Sequence, residues 1–453
     1  MTSLTTSRTA VLPGLAAPEQ PAAPQATPSA SRRRSVVKVV MGVAIAAMPW
    51  LVPAGTGNTA PADVFLAAAI FIDALWFSSH RQPMRFPYLL PIGLSILAGA
   101  LASTVAYSGA YVSVGGGLVT LIQDAFLLAW GITIANLSRD PALLRTITRA
   151  WAISVTCFAG LMIIGVFAHI PLLSGEIARN GVRAAFTLGD PNLAANYFIC
   201  SLLVLRAARY PGRPVLRWLC CAVIVTAIIL TGSNGGALVL VVTTVLGGLF
   251  TLARRRGAAP AVITGAALVL AVLAIAPHVH VQGIVAQAQA SSPLLKDSIG
   301  RQAESSGSRS TILSESEQLY FTGDTPFGIG PGGTKSAFQA HQYGYVKMAH
   351  DDYSAALLER GVLGGAALIV LLVIIAARCR RIATRPLRPD YAAIFPRPEL
   401  LGAAVIGMFI SATLYQVLHF RHLWALLGII AAVDLWGRRD RDRGRPDAAG
   451  AAR

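Results

Sequence analysis

Apolar runs recur from residue 36 to residue 436, broken by short polar turns and by one long polar segment. The runs fall at roughly 36–53, 62–78, 87–103, 117–137, 149–167, 192–206, 215–231, 235–252, 260–276, 353–377, 399–418 and 422–436. About 20 apolar residues of helix cross a bilayer, and each run is that long or nearly so. A spanning segment must satisfy its own backbone, so the runs predict helices. The pattern thus predicts an all-α polytopic membrane protein with about 12 transmembrane helices and one large extracytoplasmic loop subdomain. The boundaries follow: 1–34 is a disordered cytoplasmic tail, 35–276 holds helices one to nine, and 277–352 is the loop subdomain. Residues 353–436 hold the last three helices, and 437–453 is a basic cytoplasmic tail. No apolar run precedes Arg32-Arg33-Arg34, so no cleavable signal peptide is expected.

Composition agrees. The chain is 54% hydrophobic and 13% charged, whereas soluble proteins are about 25% charged. Its net charge of +17 would suggest nucleic acid in a soluble protein, but here the placement explains it. Most of the 38 lysines and arginines fall on alternate loops, among them Arg139, Arg145, Arg209, Arg213, Arg254 to Arg256, Arg378 to Arg388 and the final tail. Such alternation orients a membrane protein with these loops, and both termini, in the cytoplasm. Anionic-lipid attraction accounts for the rest, and nucleic acid is excluded as a partner. Cys157, Cys200, Cys220, Cys221 and Cys379 show no ligand spacing, and no His-x-x-His pair occurs, so no metal or disulfide is expected.

Three outer segments hold the candidate chemistry. Ser174 to Pro191 carries Glu176, Arg179, Arg183 and Asp190, and Thr231 to Gly235 is a tight turn between two spans. The loop 277–352 has predicted helices at Ile284–Ala290 and Ser310–Tyr320, then a glycine-rich turn from Pro326 to Gly333. It ends in Ala349-His350-Asp351-Asp352-Tyr353 at a helix entrance. Asp351 or Asp352 can cap that helix. His350 is a candidate acid–base group, although a loop histidine is more often a solvated bystander. Asp352, Ala356 and Glu359 share a helix face, so Glu359 can point back toward the same cleft. The competing reading pairs Glu359 with Arg360 or Arg309. Arg309 and Arg183 are the outer arginines best placed to fork onto phosphate oxygens, against the plainer reading of surface charge. The glycine turn lacks the Lys-Ser/Thr ending of a nucleotide-binding loop.

The order of four stretches resembles the O-antigen ligase/polymerase superfamily. They are Phe186-Thr187-Leu188-Gly189-Asp190-Pro191-Asn192 with Asn196, and Thr231-Gly232-Ser233-Asn234-Gly235. Ser308-Arg309 with Pro326-Phe327-Gly328-Ile329-Gly330 follows, then His350-Asp351-Asp352-Tyr353 with Glu359, Gly361 and Gly364. The resemblance implies a metal-independent, cofactor-free membrane glycosyltransferase. Its donor would be a glycan on undecaprenyl diphosphate and its acceptor a glycan or lipid, met on the outer face of the cytoplasmic membrane. It further implies that Arg309 neutralises the diphosphate and that His350 acts as general base or orients the acceptor. Arg183, Asn234, Asp352, Tyr353 and Glu359 would contact substrate. The chain departs from the pattern at Asn234, where the family's turn carries arginine, and Arg183 is the expected substitute. A polytopic transporter or flippase and a non-catalytic component of polysaccharide export are the alternatives. Against transport, the ionisable residues gather in loops; Asp124 alone sits deep in a predicted span.

Overall fold

The computed structural model describes residues 28–55, 59–80, 83–108, 114–175, 183–275, 313–321, 326–342 and 351–438, with isolated positions 283, 287, 290 and 311. The helices are α1 (Pro28–Ala47), α2 (Pro61–His80), α3 (Leu89–Ser108), α4 (Val114–Leu137), α5 (Pro141–Phe167) and the single turn α6 (Pro171–Ser174). Then come α7 (Pro191–Ala208), α8 (Pro214–Leu230), α9 (Asn234–Arg256), α10 (Ala258–Ile275), α11 (Thr334–Ala340) and α12 (Asp352–Thr384). The last three are α13 (Pro389–Ile394), α14 (Glu399–Ser411) and α15 (Arg421–Trp436).

A helix stands at each of the twelve apolar runs. Six of them, α2, α4, α5, α9, α10 and α12, are long and apolar enough to cross a membrane, and α3, α8 and α14 are shorter apolar helices. The protein is helical and multi-pass. By contact the chain divides into Met1–Val36 and Val37–Arg453. In the first unit, helix begins at Pro28 rather than at the expected boundary of 35. Alanine and arginine are good helix formers, so the helix extends past its apolar stretch.

In the second unit, α12 packs on α3, α15 on α4, and α14 on both α7 and α9. Small residues allow close approach: a Cβ on Gly428 of α15 would stand 2.8 Å from the Gly131 carbonyl of α4. Membrane helices associate by such contacts because lipid offers no hydrophobic drive between them. By contrast α10 buries Ala261 and exposes Val262, Ile263, Val269, Leu270, Val272 and Leu273. A helix apolar on all sides with so little buried is a lipid-facing one.

The arginine-rich ends are tied together by buried Asp434 of α15, which accepts from Arg378 and Arg381 of α12 and meets Arg438 four residues on. Tyr391 of α13 donates to the carbonyls of Ser138 and Arg139 at 2.9 and 3.0 Å. This latch holds the start of the C-terminal tail against the α4–α5 turn.

Candidate functional site

At the opposite end, four helix starts and two loops converge. Asp190 caps α7, its Oδ1 accepting from the Asn192 and Leu193 amides at 2.7 and 3.0 Å, and Pro191 occupies the first helical position without a donor to lose. This frees the Asn192 side chain, whose Oδ1 accepts from Ser233 Oγ at 2.8 Å and from Arg183 Nη2 at 3.2 Å. Ser233 in turn caps α9 by accepting from the Gly236 amide. Arg183 also donates through Nε to the Thr231 carbonyl at 2.9 Å. The expected tight turn is therefore present, and Arg183 is fixed against it. The cap of α9 is neutral, so the positive end of its dipole and the Arg183 guanidinium add. Asn234, at the first position of α9, lies in the same turn.

The second loop, 412–420, joins this turn to the start of α12. A Cβ on Gly235 would meet Leu414 at 2.8 Å. Asp352, buried, accepts through Oδ2 from the amides of Val417 and Leu418 at 2.7 and 3.1 Å, and its own amide donates to the Ala412 carbonyl. The helix cap falls to its neighbour, Asp351, which accepts from the Ser354 amide at 2.7 Å. Tyr353 donates to the Phe409 carbonyl of α14 at 3.0 Å.

About two helical turns on, α12 breaks. Gly361 has φ 63° and ψ −165°, and a Cβ there would stand 2.2 Å from the Pro326 carbonyl oxygen. The glycine segment lies along this break: Ile329 and Gly330 donate to the carbonyls of Leu358 and Glu359, and Val362 donates to Pro326. Gly328, at φ 88°, passes so near Gly361 that a Cβ would meet its amide at 2.6 Å. Only residues without a side chain fit both positions. Glu359, buried, closes the arrangement by accepting from the Gly332 amide at 2.9 Å and from Thr334 Oγ1 at 2.7 Å.

The Glu359–Arg360 pair of the competing reading does not form. Neighbouring side chains on a helix point away from each other, and Arg360 turns to α3 and α4. There it meets Asp124 at 2.5 Å and Ser95 Oγ at 2.8 Å. Asp124, Glu359, Arg360, Asp352 and His419 line a cavity of about 60 Å³, so Asp352 and Glu359 do share a cleft. His419 also lines a second, larger cavity of about 620 Å³ with Arg421 and Asp63. Withdrawal from water lowers the pKa of His419; Arg360 and Arg421 push the same way, while Asp124 and Glu359 oppose. Arg421 is bidentate to Asp63 at 2.5 and 2.6 Å, and His422 meets Asn196 Oδ1 at 2.7 Å. Arg421 and His422 were absent from the sequence-based candidates, and Arg360 entered them only as a partner for Glu359. Their only signal is that each is an ionisable group at or inside an apolar run. Arg309 and His350 lie outside the described residues, as does most of the expected 277–352 subdomain.

The turn, α9, the glycine segment and the break in α12 fall within residues 219–369, which match a family model described as O-antigen ligase. Over that segment the chain is similar to the O-antigen ligase family. The match agrees with the resemblance of the four stretches to the O-antigen ligase/polymerase superfamily. Curated proteins give no match. The matched segment begins within α8 and ends within α12, so Arg183, Asn192 and the 412–420 loop reach its turn and the start of α12 from outside it.

Proposed function

We propose that the protein is a metal-independent membrane glycosyltransferase that transfers or polymerises a glycan carried on undecaprenyl diphosphate, at the outer face of the cytoplasmic membrane. The observation that carries this reading is the fixing of Arg183 on the Thr231–Asn234 turn, beside the neutral-capped start of α9. The family's turn supplies an arginine at the position of Asn234. Here a guanidinium reaches the same turn from the preceding loop.

In this reading Arg183 and Arg309 hold the diphosphate. His350, next to the Asp351 cap, takes the proton of the acceptor hydroxyl as that oxygen attacks the anomeric carbon. The bond from that carbon to the diphosphate oxygen breaks, and the departing charge is met by the guanidinium groups. Diphosphate is a good leaving group once its charge is countered, so positioning and electrostatics carry the catalysis. Asn234, Asp352, Tyr353 and Glu359 shape the site, the last three through the backbone contacts described above.

The test is complementation of a deletion strain at matched membrane levels of wild type, His350→Ala, Arg309→Ala and Arg183→Ala. Restoration of surface glycan by wild type, with lipid-linked precursor accumulating in all three variants, is the expected result. Full restoration by the His350 and Arg309 variants would overturn it and favour transport or a non-catalytic role in polysaccharide export.

A further inference from the structure

The arginine-rich ends of α7, α9 and α14 hold a cluster of charge that the transfer reaction does not use. Arg397, in the turn before α14, is tied to the end of α7 by its amide, which donates to the Ala207 carbonyl at 3.2 Å. Burial lowers the pKa of Arg397, and the nearby charges of Arg209, Arg206 and Arg255 lower it further. Glu399 is the carboxylate that opposes them, yet it already accepts from Arg254 at 2.6 Å and from Thr251 at 3.2 Å. Among the described ion pairs, none includes Arg206, Arg209, Arg255 or Arg397.

The cluster is held rather than floating. Arg217 donates to the carbonyls of Arg209 and Pro211 at 2.9 and 3.2 Å, fixing the α7–α8 turn. The Arg206 guanidinium stands 4.7 Å over the Trp218 ring. Beside it the first turns of α8 present Val215, Leu216, Trp218 and Leu219, between 46% and 72% exposed. A concentrated positive site thus adjoins an apolar wall topped by a tryptophan, the residue that favours the depth of lipid headgroups.

We propose that the arginines at the ends of α7, α9 and α14 bind the phosphate headgroup of an anionic phospholipid, its acyl chains lying along the exposed face of α8. Guanidinium groups fork onto phosphate oxygens, and basic pockets between membrane helices take such headgroups on the cytoplasmic side. The bound phosphate supplies the negative charge that Glu399 does not, bracing α7 against α14 from below.

The experiment titrates full-length detergent-purified protein with dioleoyl phosphatidylglycerol, dioleoyl phosphatidylcholine and inorganic phosphate. It reads bound lipid by native mass spectrometry and melting temperature by fluorescence. Phosphatidylglycerol should bind and raise the melting temperature, and the other two should do neither. Removing two charges in Arg209→Gln/Arg397→Gln should weaken phosphatidylglycerol by roughly 30-fold, each headgroup contact being worth on the order of 1 kcal/mol. The control Arg380→Gln/Arg385→Gln, of equal charge change on α12 and just beyond its end, should bind as wild type. If the double variant fails to fold, Arg209→Gln alone should weaken binding about fivefold. Equal binding of both lipids, equal loss in the control, or equal protection by inorganic phosphate would each overturn the proposal.

Discussion

Glu359 and Arg183 show how differently two charged side chains serve one site. Both oxygens of Glu359 are committed to the glycine segment, so its work is to hold that segment on α12. Glu359→Gln keeps one acceptor but turns an amide donor toward another donor, and a buried donor left unmatched costs about 1–3 kcal/mol. A melting temperature unchanged in detergent would show that the segment does not depend on it. Arg183 donates through Nε to the turn and through Nη2 to Asn192, and the single nitrogen of lysine cannot reproduce both contacts. Arg183→Ala should lower transfer on the order of 100-fold, as loss of one preorganised donor does, and Arg183→Lys should restore little of it. Full turnover by the lysine variant, measured with a lipid-linked donor in vitro, would remove the forked grip from the mechanism. His419 makes a prediction in pH. Its pKa is lowered in the folded protein from the ordinary 6.5, so the unfolded chain takes up the proton first. Stability is therefore complete above about pH 6.5 and declines as pH falls toward the lower folded value. Melting curves between about pH 7.5 and 5 should flatten in His419→Gln.

Among the elements, α12 carries the main lesson about what the chain reveals. The twelve apolar runs each yielded a helix, because length and hydropathy are properties of a local stretch. The tight turn at Thr231 and the glycine turn at Pro326 were legible for the same reason, through local residue chemistry. The break in α12 was not. The apolar pattern continues across it, and Gly361 leaves the helix because a segment about one loop away donates to and accepts from its neighbours. Nor was the partner of Arg360 legible, since Asp124 lies 236 residues earlier. Local pattern finds elements, and long-range polar pairing decides which side chains meet. The break is testable directly. Gly361→Ala sets a Cβ 2.2 Å from a carbonyl oxygen at φ 63° and ψ −165°, a conformation that itself costs about 1–3 kcal/mol in an L residue before any overlap. The variant should accumulate at much lower level in membranes, with the glycine segment opened to proteolysis. Normal accumulation with normal protease resistance would show that the two segments separate without cost.

At the scale of the whole molecule, polar groups concentrate at the two ends of the helices, and the ends have different tasks. One gathers Arg183, the Thr231 turn, Asp352, Glu359 and the Arg360–Asp124 pair around helix starts. The other gathers Asp434 with Arg378, Arg381 and Arg438, which fasten α12, α15 and the chain beyond. Fastening at a distance from the chemistry should affect folding alone. Asp434→Asn leaves arginines facing a neutral amide in a buried place, and breaking a buried pair costs on the order of 3–5 kcal/mol. The expected outcome is a clear fall in melting temperature, with the transfer rate per folded molecule unchanged. Combined with Arg183→Ala, the two effects should add to within about 0.5 kcal/mol, as for sites that share no partners. A transfer rate that falls in Asp434→Asn at equal folded protein would contradict this separation. It would show that the break at Gly361 passes strain along α12 from the fastened end to the site.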